Sequence, residues 1–181
     1  MIKKLASFTF HSLGWKTKGE IPSEVKKYII VAAPHTSNWD FFYGMLFFLM
    51  KGIPLRFFIK KEWYIFPFNY LFKSLGGIPV NRGKNQNLTD QIADVFNHYD
   101  ELALLIPVEG TRSYNPNWKK GFYYISQKAN VPIILGYIDY ENKIGGIGPV
   151  FQTTNDVEKD IESMKSFYKG IKGKFPEKGV H

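Results

Sequence analysis

Short apolar runs rich in β-branched residues alternate along the chain with stretches whose apolar positions recur every three or four residues. That alternation predicts an α/β fold, a single domain with a mostly parallel central sheet flanked by helices. Residues 28–33 read YIIVAA, a continuous run suited to a strand buried on both faces, and Pro34 closes it. A loop over 34–38 leads into a helix capped by Ser37 or Asn38 and running to about Met50, with a second strand at 55–60. The aromatic stretch 63–75 predicts a helix or an interfacial segment, ended by Gly76 and Gly77 before a brief strand at 78–80. Leu88, Ile92, Val95, Phe96 and Tyr99 share one helix face within 85–99, and 102–106 is another buried strand. Phe122, Ile125 and Ala129 mark the next helix; 131–140 then forms a strand that hairpins to 143–147. A last helix opens near Asn155, with Glu158 three residues on as in a capping box, and carries Val157, Ile161, Met164, Phe167 and Ile171 on one face.

Composition narrows the chemistry. The 181 residues suffice for one core, and cysteine is absent. Disulfides, thiolate metal ligands and a thiol nucleophile are thereby excluded. The net charge of +8 favours anionic partners: nucleic acid, anionic lipid, or a phosphorylated or coenzyme A substrate. A bilayer span needs about 20 mainly apolar residues, whereas the longest candidate, 41–50, is ended by Lys51 and Gly52. Residues 1–20 do not read as a cleaved signal peptide, because Ser7, Thr9 and His11 break the apolar stretch. They read as a short basic amphipathic segment that either touches a membrane or packs on the domain spanning 21–181.

Two polar clusters follow buried strands, where α/β proteins place reactive groups. His35 lies just beyond the first strand and Asp40 sits in the first turn of the next helix. A loop doubling back at 36–38 brings the carboxylate to one imidazole nitrogen and frees the other to take a proton from a substrate hydroxyl. The plainer alternative is that Asp40 only complements the helix N-terminus and His35 is an ordinary loop residue. Glu109-Gly110-Thr111-Arg112 follows the strand at 102–106 and so belongs to the same sheet edge. Glycine admits close approach, threonine supplies a hydroxyl, and arginine grips phosphate with two parallel N–H bonds, held in place by Glu109. A solvent-exposed turn with a weak Glu–Arg pair is the alternative. Lys60, Lys61, Arg82, Lys119 and Lys120 also follow elements ending near that edge, Arg82 being the strongest candidate among them. Thirteen of the 32 residues from Phe41 to Phe72 are aromatic, with lysines and arginine interleaved. Trp63, Tyr64, Phe66, Phe68 and Tyr70 exceed what a core needs and suit a membrane interface, although the same mixture serves single-stranded nucleic acid.

The two clusters together resemble a known family. His35-Thr-Ser-Asn-Trp-Asp40 resembles the H-x4-D motif, and Glu109-Gly-Thr-Arg112 the E-G-T-R motif, of the glycerolipid acyltransferases that acylate lysophosphatidate, in the same order. Lys60-Lys61-Glu62, Gly77-Ile-Pro-Val-Asn-Arg82 and Val131-Pro-Ile-Ile134 are similar to its other blocks, so the resemblance covers about 28–138.

The resemblance implies transfer of a fatty acyl group from acyl-CoA or acyl carrier protein to the hydroxyl of a lysophospholipid, foremost 1-acyl-sn-glycerol-3-phosphate. His35 would be the general base and Asp40 its orienting partner. Glu109, Gly110, Thr111 and Arg112, with Arg82 and Lys60, would bind the acceptor phosphate, and the helix at 41–50 would wall an acyl groove. It implies no metal, organic cofactor or nucleic acid, and a cytoplasmic protein peripherally associated with the inner face of the membrane through Trp63, Phe66 and Phe68. Pro34, Asn81, Val108 and Leu135 or Gly136 depart from the residues usual in the family and leave the acceptor headgroup open, a lyso-aminolipid being one alternative. A non-catalytic lipid-binding protein on the same scaffold is the other.

Overall fold

The computed structural model describes residues 1–80 and 88–181, with Lys60 and Val80 described by backbone alone. Seven strands among them form one sheet: β1 (Lys16–Lys18), β2 (Lys27–Ala32), β3 (Leu55–Lys60), β4 (Gly77–Val80), β5 (Leu102–Pro107), β6 (Ile133–Asp139) and β7 (Ile144–Phe151). Their order is β1-β7-β6-β2-β5-β3-β4, parallel throughout except for the β6–β7 hairpin. The helices are α1 (Ile2–Ser12), α2 (Asn38–Lys51), α3 (Phe68–Ser74), α4 (Leu88–Val95), α5 (Gly121–Ala129) and α6 (Val157–Tyr168).

β2 is central and buried on both faces, which is why its sequence is an unbroken apolar run rather than an alternating one. Tyr28 and Ile30 face a layer with Phe10 of α1 and Met45, Phe47 and Phe48 of α2. Ile29 and Val31 face the other layer, with Ile92, Phe122, Ile125, Met164 and Tyr168 from α4, α5 and α6. Each fully buried side chain of this kind contributes roughly 1.5–3 kcal/mol, so the strand carrying the candidate base is anchored from two sides.

Four elements differ from the sequence reading. Residues 16–18, inside the N-terminal segment, pair in parallel with β7 as the edge strand β1. Lys-Thr-Lys offers no apolar pattern; the buried Trp15 beside it fixes its place. β7 runs on to Phe151, past the anticipated end, because Gly145, Gly146 and Gly148 disguise a strand. At Gly145 a Cβ would stand 2.8 Å from the Phe10 ring and 2.9 Å from that of Phe47, so glycine lets α1 and α2 close on the sheet. The cap of α6 is Asp156, not Asn155, its carboxylate accepting the Lys159 N–H at 3.1 Å. In the segment after β3, only 68–74 is α-helical, preceded by a 3-10 turn at Lys61–Trp63.

Beyond α6 the chain returns across the edge of the sheet. The Lys172 carbonyl accepts the Tyr140 N–H at 2.8 Å, and the Phe175 N–H donates to Thr36 Oγ1 at 3.3 Å. Gly173 lies so close that a Cβ there would be 2.7 Å from Thr36 Oγ1, and Lys174 Nζ sits 4.9 Å above the Trp39 ring. No helix among the described residues is long and apolar enough to cross a membrane.

Candidate active site

β2 lies between β5 and β6, and the crossovers through α2 and α5 leave on opposite sides of it, so a crevice opens past its C-terminal end. In the β2–β5 register Ala32 pairs with Pro107. His35, three residues past Ala32, and Glu109, two past Pro107, therefore emerge side by side.

The loop at 34–37 is folded by its own helix cap. Ser37 Oγ accepts the Trp39 N–H at 3.2 Å, and Asp40 Oδ2 accepts the N–H groups of Thr36 at 2.7 Å and Ser37 at 2.8 Å. This capping box turns the chain so that Asp40 Oδ2 also stands 3.2 Å from His35 Nδ1. With Nδ1 donating to the carboxylate, Nε2 is the ring's acceptor. The helix cap and the contact to the imidazole thus fall to one residue. Tyr140, just past β6, donates its hydroxyl to Asp40 Oδ1 at 2.8 Å.

Glu109 requires a correction. Its carboxylate does not hold Arg112; it is buried and accepts the backbone N–H of His35 at 2.7 Å. Gly110, at φ +68°, reverses the chain, sending Glu109 inward and Thr111 and Arg112 outward. Glu109 thus braces the His35 backbone from behind and stays off the exposed rim where Thr111 and Arg112 lie. Burial pushes its carboxyl up to about 7, against the opposing pull of the His35 N–H and ring, with Asp40 reinforcing the rise. The Asn115 side chain donates to the Glu109 carbonyl at 2.7 Å and fixes the turn. Arg112 donates instead to Asn38 Oδ1 and remains exposed.

A cavity of about 920 Å³ opens at this edge. His35, Asn38, Gly110, Thr111, Arg112 and Lys119 surround its polar end. Its apolar walls come from Phe41, Met45 and Phe48 of α2 on one side and from Ile92, Phe122 and Ile125 of α4 and α5 on the other. Arg82 lies outside the described residues, as does the side chain of Lys60, whose backbone ends β3 at the same edge. Trp63, Phe66 and Phe68 do not enter the cavity; they are exposed beside Ile65, Tyr70 and Leu71.

The sequence profile of the acyltransferase family matches residues 15–137, about two thirds of the chain. The chain belongs to the acyltransferase family. This acyltransferase is similar in fold to the crystal structure of the 1-acyl-sn-glycerophosphate acyltransferase PlsC from Thermotoga maritima, with a TM-score of 0.64 and 20% sequence identity. The match covers 92% of this chain and 76% of that one. No curated protein matches it by sequence.

The candidate site of this acyltransferase includes residues the sequence reading passed over. Asn38 holds Arg112, Asn115 holds the Glu109 turn, and Tyr140 reaches Asp40. Asn38 lies within the first motif and could have been noted there. For Tyr140 the signal was its place directly after a buried strand, at the edge where the other two clusters emerge.

Proposed function

We propose that this acyltransferase moves a fatty acyl group from acyl-CoA or acyl carrier protein to the free hydroxyl of a lysophospholipid, with 1-acyl-sn-glycerol-3-phosphate as the preferred acceptor. The observation that carries this reading is a His35–Asp40 pair opening on a cavity that is cationic at one end and apolar along its depth. His35 Nε2 removes the acceptor's hydroxyl proton as its oxygen attacks the thioester carbonyl. The tetrahedral intermediate then expels the thiolate, and the imidazolium returns the proton to the leaving sulfur. Asp40 stabilises the imidazolium in between. Glu109 fixes the height of the base through its backbone, and Arg112, with Lys119 nearby, holds the phosphate so that the hydroxyl meets Nε2, an advantage of proximity. Gly110 keeps the backbone close to that phosphate and Thr111 adds a hydroxyl donor; Arg82 and Lys60 are further candidates for the same task.

Coenzyme A release from palmitoyl-CoA, measured over a panel of lysolipids, tests the acceptor, and the panel repeated with acyl carrier protein thioester tests the donor. Release is expected to depend on a phosphomonoester headgroup. Arg112→Lys keeps the charge but loses the planar fork, so the acceptor KM should rise about tenfold while the donor KM stays unchanged. A rise confined to the donor would remove Arg112 from the acceptor site.

The same reading makes the protein peripheral to the inner face of the cytoplasmic membrane. Six large apolar side chains are exposed between Trp63 and Leu71, more than a water-facing segment of that length accommodates. Taking a phenylalanine ring fully out of water gains roughly 1.5–3 kcal/mol, so two rings even partly inserted contribute on that order. Replacing Phe66 and Phe68 together by serine should thus cut sedimentation with anionic vesicles by at least tenfold. Unchanged sedimentation would rule out these rings as the contact.

A further inference from the structure

We propose that Tyr140 is a positioning residue of the acyl-transfer reaction, holding Asp40 in the orientation in which Asp40 holds His35. The proposal rests on the reading of His35 as the base. Asp40 Oδ2 is occupied by the N–H groups of Thr36 and Ser37 and faces His35 Nδ1. Tyr140 Oη is the donor on Oδ1, at 2.8 Å. A carboxylate bonded through one oxygen alone can rotate about its Cβ–Cγ bond; one bonded at both oxygens cannot turn without breaking a bond at each end.

Tyr140 itself has little freedom to follow. Trp15 meets its ring edge to face at 5.2 Å between centroids and Tyr43 does so at 5.8 Å. Its backbone N–H is tied to Lys172 at 2.8 Å. The ring is thus fixed by β6, by α2, by the segment before β1 and by the C-terminal tail. Phenylalanine would make the same ring contacts, so packing alone does not account for the hydroxyl. Burial, together with the adjacent Asp40 carboxylate, pushes the phenol far above its ordinary value of 10.0, which keeps the hydroxyl a donor throughout the neutral range.

Tyr140→Phe removes this donor and keeps the ring. Turnover should fall about tenfold, the scale of one lost hydrogen bond to a charged group, with both substrate KM values unchanged. The protein should stay folded, its melting temperature falling by about 3–6 °C as for one such bond. The proton resonance of His35 Nδ1–H, identified by its loss in His35→Ala, should broaden as the imidazole gains freedom. Tyr140→Leu, which also removes the ring contacts, should lower it by clearly more and separates packing from positioning. The proposal is overturned if Tyr140→Phe turns over like wild type, or if its lower turnover comes with an unchanged Nδ1 resonance. Should His35→Ala itself turn over normally, the reading of the base fails, and that outcome is distinct from an unaffected Tyr140→Phe beside an inactive His35→Ala.

Discussion

Replacing His35 by alanine is expected to slow acyl transfer by about 10²–10⁴-fold and to leave the protein folded. The rate argument is that the substrate hydroxyl then has only water to accept its proton. The folding argument is specific to this site. Glu109 grips His35 by its backbone N–H, and the capping box of α2 uses Ser37, Thr36 and Asp40, so none of these bonds needs the imidazole. Single-turnover acyl transfer and thermal melting on the same preparation check both halves. Turnover within a few-fold of wild type would remove His35 from the chemistry. A large fall in melting temperature would show that the ring supports the loop.

Asp40→Asn is expected to have the next largest effect, through charge rather than shape. The carboxylate receives donors on both oxygens. An asparagine can keep its carbonyl toward Thr36, Ser37 and the imidazole and turn its NH₂ to Tyr140, whose hydroxyl then accepts. Geometry survives, and the cost in stability is about 1 kcal/mol, as for a weakened helix cap. What is lost is the negative charge opposite the imidazolium, so turnover should fall by about 10²-fold with unchanged substrate KM. Urea unfolding alongside steady-state kinetics separates the two terms, and a turnover within twofold of wild type would leave Asp40 with a capping role only.

The residues differ in how far the sequence revealed them. β2, β5 and β6 are buried on both faces and announce themselves as apolar runs, and a polar loop after a buried strand has one edge of the sheet to occupy; hence His35 and the Glu109–Arg112 turn were found together. Asp40 was legible because capping is a local interaction. Glu109 was placed correctly but given the wrong partner: adjacency in sequence suggested Arg112, whereas the left-handed turn at Gly110 points the two side chains apart. Tyr140 and β1 were not legible in their roles. One acts across 100 residues of chain, and the other is an edge strand of alternating lysines held by a partner, β7, that is itself disguised by glycines.

The loop carrying His35 is tied down by three segments remote from it. Glu109 is 74 residues away from its partner in the loop, Tyr140 is 100 from Asp40, and Phe175 is 139 from Thr36. Two of these ties join segments that the β2–β5 and β2–β6 pairings already hold side by side, so once the sheet has formed they add little closure entropy. The capping box shapes the loop locally, and the ties from β5, from the end of β6 and from the tail fix where that loop sits. The full set of contacts around His35 accordingly exists only where the sheet and the docked tail are both in place, and it reports the complete fold more strictly than helix content does.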